Sequence, residues 1–335
     1  MTLRTLLERL LQLIPVLLGI SVIVFAMITL TPGDPVEIML GETQTTPEQI
    51  AALRIDMGLD LPAHERFLSF LGNAATGNFG LSFFHRQPIG DVILGRLPAT
   101  IELTFAAMFL ALVTAVPLGV LAAVRQNTNL DRAATVISLL GVSMPGFWFG
   151  ILLIMLFPIY LGVLPVSGRI GFGSEVPYFT GFLLIDTLAA GQLDSFYDAL
   201  RHLLLPTITL ALPTAAILMR VTRTSMLEVM RQDYITFAEA KGLSRRRVLA
   251  RHALKNAMMP MVTVAALETG VLLSGNMIVE TVFGWPGLGR LVVEAIFHRN
   301  YPLVQASVLV YVVTYVFLNF IADLLYTVLN PRVRL

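Results

Sequence analysis

The chain has 335 residues, 56% of them hydrophobic and 13% charged, with a mean hydropathy of +0.77. Water-soluble domains carry about a quarter charged residues, so this composition excludes one and points to a chain solvated by lipid. The net charge is +1 and cysteine is absent, which excludes disulfides and thiolate-bound metals.

A hydrocarbon core is crossed by about 20 apolar residues in a helix. Stretches of that kind lie at 10–30, 100–123, 134–161, 204–222, 260–282 and 303–329, which predicts six crossings and an all-α membrane protein. The first stretch is longer than the apolar region of a leader peptide, and no A-x-A-like site follows it closely, so it is expected to persist as a helix. With the N-terminus inside, the cytoplasmic side holds Arg4, Arg9, Arg125, Arg132, nine Arg/Lys from Arg220 to Lys255, Arg332 and Arg334. Those are 15 of the 23 basic residues, a bias that predicts cytoplasmic termini.

The first span leads into an acidic external segment, 31–98, that opens on the turn-rich TPGDP. Thr45-Thr46-Pro47-Glu48 reads as a helix start, continued by Ile50, Leu53 and Met57 to Gly58. A second external segment, 162–203, contains LPVSGR and the apolar stretch Tyr178–Leu188, too short to span and expected to lie at the interface or re-enter it. In a third, 283–302, Trp285, Pro286, Gly287 and Gly289 predict a turn at headgroup depth followed by a short amphipathic helix. The expected organisation is 1–98 as first helix plus external segment, 99–330 as a five-helix core with a cytoplasmic loop at 223–259, and 331–335 as a tail.

Catalysis finds little support. Histidines 64, 85, 202, 252 and 298 show no metal-ligand spacing, and neither Lys241 nor Lys255 sits in a phosphate loop. His252 is expected to support the cytoplasmic loop. No cofactor is assigned to this chain; ATP and magnesium, if used, belong to another subunit.

The loop reads YITFAEAKGLSRRRVLARHALKNAMMP over 234–260. Tyr234, Phe237 and Ala238 fall on one helical face, Gly242 closes that helix, and Ser244 is placed to cap a second. The second helix carries Arg245, Arg246, Arg247, Arg251 and Lys255, expected to face water or headgroups, and enters the membrane at Pro260. A hinged lever and a plain juxtamembrane amphipathic pair fit this pattern equally. Within the spans, Glu268, Leu272, Gly275 and Asn276 share one face, and Tyr311, Tyr315, Asn319 and Asp323 share another; such stripes line a pathway or bond helix to helix. Pro117, Pro145, Pro206 and Pro213 are candidate kinks, and Ser143-Met144-Pro145-Gly146 is the expected break beside a pathway.

These features resemble, nearly end to end, the B-type permease subunits of the peptide/nickel family of ABC importers. The stretch 9–36, the coupling stretch 233–260, WPGLGRL (285–291) and the closing NFIADLLYTVLNPRVR carry the likeness. SMPGFW, LPVSGR, TGFLLIDT and SMLEV lean toward the dipeptide branch. Three departures stand out: Glu239 where relatives usually carry arginine, Asn300 in place of aspartate, and Glu268 where a neutral amide is common.

The resemblance implies the type I ABC importer permease fold in a bacterial cytoplasmic membrane. It implies a homologous C-type permease partner, two ATP-binding subunits, an external solute-binding protein and a short-peptide cargo. Oligopeptides, glutathione, nickel chelates and haem are the alternatives. Tyr234, Phe237, Ala238, Glu239, Ala240, Lys241, Gly242 and Leu243 would couple to the ATPase. Met144, Pro145, Glu268, Leu272 and Asn276 would line the pathway or gate, and Trp285, Pro286, Gly287 and Gly289 would meet the binding protein. An ion-coupled secondary transporter is the rival class; it calls for paired intramembrane carboxylates and often an inverted repeat, and no repeat is visible.

Overall fold

A computed structural model describes residues 3–30, 48, 51, 54–55, 59–82, 84–275 and 277–329. In chain order the elements are α1 (Leu3–Leu30), α2 (Ala63–Thr76), a two-residue hairpin of β1 (Leu81–Ser82) and β2 (Gln87–Pro88), and α3 (Ile89–Val124). Next come α4 (Asn129–Ser143), then α5 (Gly146–Ile154), extended by a π-helical turn at Met155–Leu161, α6 (Leu183–Ala189) and α7 (Leu193–Met230). The chain continues through α8 (Asp233–Ala240), α9 (Arg245–Arg247), a π-helical segment (Val248–Ala253) and α10 (Leu254–Gly275). It closes with α11 (Met277–Val282), α12 (Leu288–Phe297) and α13 (Tyr301–Leu329). The expected helix from Thr45 to Gly58 falls largely outside the described residues, as do Asn276 and the Asp323 side chain.

Among the described residues, Ile89–Val124, Leu193–Met230 and Arg245–Leu273 are long and apolar enough to cross a membrane. The first and last expected spans coincide with α1 and α13, where the apolar cores Leu11–Met27 and Tyr301–Phe317 lie. The third expected span is not one helix: α4 and α5 meet at a 100° bend. The bend has a local cause. Proline denies the preceding residue the helical region, and Met144 sits at φ −80°, ψ 128° with Pro145 likewise extended. Pro117, Pro206 and Pro213 instead stay inside continuous helices, because neighbouring helices in a bundle re-satisfy the freed backbone groups.

The centre of the fold is the packing of α3 on α7. Along α3 the buried residues Ala99, Leu103, Ala107, Ala111, Ala115, Gly119 and Ala122 recur at three- or four-residue spacing, one helical face made mostly of small side chains. At Gly119 the backbones approach so closely that a Cβ would lie 2.8 Å from both the Met219 carbonyl oxygen and the Thr222 Cβ. Small residues are what permit such approach when lipid supplies no hydrophobic drive between helices. α10 packs on this pair, α13 packs on α10 and the start of α3, and Gly270 leaves room for the Tyr315 ring. The Tyr311–Tyr315–Asn319 stripe packs helix against helix: Tyr311 is buried, and Tyr315 and Asn319 both approach Gly270 of α10, while the Tyr311 hydroxyl and Asn319 Oδ1 make no hydrogen bond among the described residues.

Candidate coupling surface and buried clamp

The loop at 233–260 folds as an elbow. α8 rests on a small core in which Ile235, Ala238, Val248, Ala253 and Ala257 pack against Ala123 and Met226. The buried residues are Ile235 and Ala238, so of the Tyr234, Phe237 and Ala238 face read from the sequence only Ala238 turns inward. Threonine at 236 and glutamate at 239 masked the true i, i+3 spacing. Phe237 stands 61% exposed with the Lys241 ammonium 4.5 Å above its ring, and Glu239, Ala240 and Gly242 are exposed beside it. Tyr234 is held in place by the Asn256 amide, which donates to its hydroxyl at 2.8 Å. Leu243 is half-buried against the elbow core.

Gly242 closes α8 at φ 78°, its N–H donating to the Glu239 carbonyl. This is the left-handed conformation that glycine adopts without penalty. Ser244 begins the next helix through its carbonyl, which accepts from the N–H groups of Arg247 and Val248; its hydroxyl makes no capping bond, unlike the expectation. His252 contributes its carbonyl to the Asn256 amide. Behind the elbow, Arg223 grips Asp131 with Nε and Nη2 at 2.6 and 2.9 Å, tying the start of α4 to the C-terminal end of α7. The Arg223 hydrogen bonds outweigh burial and hold the Asp131 carboxyl below the usual carboxylate range.

At the opposite end the chain builds a clamp. Trp285 is 1% exposed and donates its indole N–H to the Ala99 carbonyl at 2.9 Å, so it is an anchor inside the protein. Gly287 and Gly289 are buried and Pro286 half-buried, which removes this stretch from the surface where a binding protein was expected to touch it. The glycines answer to close approach. A Cβ at Gly287 would overlap the Glu280 carboxylate, and one at Gly289 would lie 2.8 Å from the Met277 backbone. Glu280 accepts from the Thr100 hydroxyl at 2.7 Å and the Arg290 N–H at 2.9 Å, while Thr100 accepts from the Leu288 N–H. Beside them Arg169 of the LPVSGR motif binds Glu102 at 2.6 Å and the Gly181 carbonyl at 3.0 Å. Asp186 of TGFLLIDT collects the Thr180 hydroxyl and the N–H groups of Thr180 and Gly181. Burial opposes its charge, but these bonds prevail and keep the carboxyl acidic.

Of the expected pathway residues, Met144 and Pro145 form the bend, half-buried and exposed respectively. Glu268 is half-buried on α10, whereas Leu272, one turn on, is 6% exposed and belongs to the central core. Sequence reading missed Glu102, Glu280 and Asp131. Each is a lone acid at the end of an apolar stretch, and its partner lies 67, 10 or 92 positions away. Among the described residues no group of acids and histidines could hold a metal ion.

Comparison with known proteins accounts for this architecture. Similar solved structures include those of the MetNI methionine ABC transporter in inward-facing conformations. One, a SeMet-soak crystal form, superposes with a TM-score of 0.55 at 17% identity, covering 71% of this chain and 96% of that one, a likeness of fold. A di/tripeptide transport system permease protein, DppB, of Pseudomonas aeruginosa (strain UCBPP-PA14) is 44% identical over 98% of this chain and 97% of its own. The dipeptide permease DppB of Escherichia coli (strain K12) is 44% identical over 99% of both chains. The glutathione permease GsiC of the same strain is 37% identical over 98% of this chain and 97% of its own. Residues 2–104 match the N-terminal part of the membrane component of binding-protein-dependent transport systems, and residues 115–335 match its main part. The chain belongs to the inner-membrane components of binding-protein-dependent transport systems, multi-pass permease subunits of ABC importers and not enzymes.

Proposed function

We propose that this chain is the B-type permease of a dipeptide or short-peptide importer, driven through the Tyr234–Leu243 elbow by a separate ATPase. The observation that carries the coupling role is the two-faced α8. Ile235 and Ala238 anchor it inward while Phe237 and Lys241 present an aromatic ring and a cation outward. An exposed phenylalanine at the apex of a structured loop suits a pocket on a protein partner. A homologous C-type permease completes the pathway, a solute-binding protein delivers cargo outside, and both termini lie in the cytoplasm, as the arginine and lysine bias favours. We place the pathway wall at the Met144–Pro145 bend and at Glu268, leaving Leu272 in the core. The binding-protein contact is assigned away from Trp285, Gly287 and Gly289. Peptide cargo is supported by the names of the 44%-identical relatives, with glutathione second by the 37%-identical one.

The test is ATP-dependent uptake of a labelled dipeptide into proteoliposomes holding the permease pair, the ATPases and the binding protein, each omitted in turn. Uptake that requires every component supports the reading. Stimulated ATP hydrolysis without dipeptide uptake redirects the cargo to glutathione or a longer peptide. Uptake by this chain alone without ATP overturns it.

A further inference from the structure

We propose that Arg247, Arg251 and Lys255 form a binding stripe for anionic phospholipid headgroups, at the point where the elbow passes into the membrane-spanning helix. All three are exposed and four residues apart, and they lie within the N-terminal half of Arg245–Leu273, a helix apolar and long enough to span. The π-helical segment Val248–Ala253 lies between the first and last of them. The opposite face of the same stretch is fixed in the protein by Val248, Ala253 and Ala257, each at 1% exposure or less. The cationic side is therefore held outward and cannot roll inward.

Nothing nearby neutralises it. No acidic residue occurs between Glu239 and Glu268, and Arg245 and Arg246 add to the same positive field. None of the five cations takes part in an ion pair among the described residues. The partner is read as lipid and not as acidic protein because the stripe lies on the spanning helix itself. The surface fit for a protein partner is Phe237 and Lys241, on the far side of the Gly242 hinge. Clusters of basic residues immediately beside a membrane helix attract anionic headgroups by about five-fold in local preference per cation, within a Debye length of the surface. The inference does not depend on the cargo.

The experiment compares spin-labelled phosphatidylglycerol with spin-labelled phosphatidylcholine as motionally restricted lipid around the assembled importer in vesicles. Wild type, R247Q/R251Q/K255Q and R247K/R251K are compared. Wild type is expected to prefer phosphatidylglycerol, with the preference collapsing at about 1 M salt. The glutamine variant should lose most of it, and the lysine variant should keep it, since point charges suffice for headgroups. No preference in wild type overturns the proposal. So does a preference retained in the glutamine variant, and so does loss of the ATPase from that variant with lipid selectivity intact, which would assign the stripe to the protein partner. Should the glutamine variant fail to assemble, the wild-type salt titration and the lysine variant still decide.

Discussion

Gly242 is the position where a single substitution tests the elbow most directly. A Cβ placed there meets nothing within 4 Å, so crowding has no part in the outcome, and the whole cost lies in φ 78°. An L-residue held in the left-handed region loses about 1–2 kcal/mol, which corresponds to roughly 5- to 30-fold in the population of the hinge as seen here. Asparagine tolerates that region best among side-chain-bearing residues, alanine less, and a β-branched valine least. The expected order of uptake per ATP hydrolysed in the reconstituted importer is Gly, Asn, Ala, Val, with the complex still assembling. The deficit of Gly242→Val should approach ten-fold, since α8 and the helix after it keep their own buried anchors and only their relative angle is disturbed. Wild-type coupling in Gly242→Val would refute the requirement for this backbone conformation. An asparagine variant as poor as valine would show that the loss comes from something other than φ.

Other substitutions probe the clamp. Arg169→Met leaves the Glu102 carboxylate, buried and held otherwise by the Leu184 N–H, without its cation. Removing one partner of such a pair costs about 3 kcal/mol or more, readable as a lower melting temperature in detergent, and Arg169→Lys should recover part of it. Trp285→Phe deletes the indole bond to the Ala99 carbonyl and should cost about 1–3 kcal/mol in the same assay. Ser82 at the hairpin accepts from Asn300 Nδ2 and from the His85 N–H, so its one proton points to His85 Nδ1 at 3.1 Å. Burial, then Arg96, lowers the His85 pKa from 6.5, and His298 adds to this while Glu294 opposes it. A lowered folded pKa means that the unfolded chain takes up the proton first. Stability is therefore complete above about pH 6.5 and falls as the pH drops below it, a loss that His85→Asn should reduce in melting curves taken between pH 7.5 and 5.5.

Much of this architecture is legible in the chain because long apolar runs have one stable answer in lipid. The runs at 100–123 and 204–222 became helices and 260–282 falls on α10 and α11, although α3 begins at Ile89 and α7 at Leu193, since amphipathic turns outside the hydrocarbon extend a helix without adding to the apolar signal. The bend at Pro145 was readable for the same reason that Pro117, Pro206 and Pro213 were not. A proline reports a missing donor, and whether the helix breaks depends on neighbours that local sequence does not name. Gly242 followed from one residue type in one context. The burial of Trp285 could not be read, because its partner carbonyl at Ala99 lies 186 positions away and tryptophan suits an interface equally well. On α8 the sequence placed Ala238 on a face with Tyr234 and Phe237, whereas Ile235 and Ala238 are the residues that pack inward.

The seam between the two matched parts of the family falls between residues 104 and 115, inside one continuous helix, α3. On its N-terminal side lie Thr100 and Glu102, and both spend their hydrogen bonds on the other part: Thr100 on Glu280 and Leu288, Glu102 on Arg169 and Leu184. The two parts are thus not modules in the sense of units that can be exchanged. A chimera joined at that seam would carry an unbroken helix and still fail unless the incoming half brought a hydroxyl and a carboxylate in register with residues up to 188 positions downstream. Shuffling among relatives should therefore tolerate crossovers after the clamp far better than crossovers at the boundary that sequence families draw.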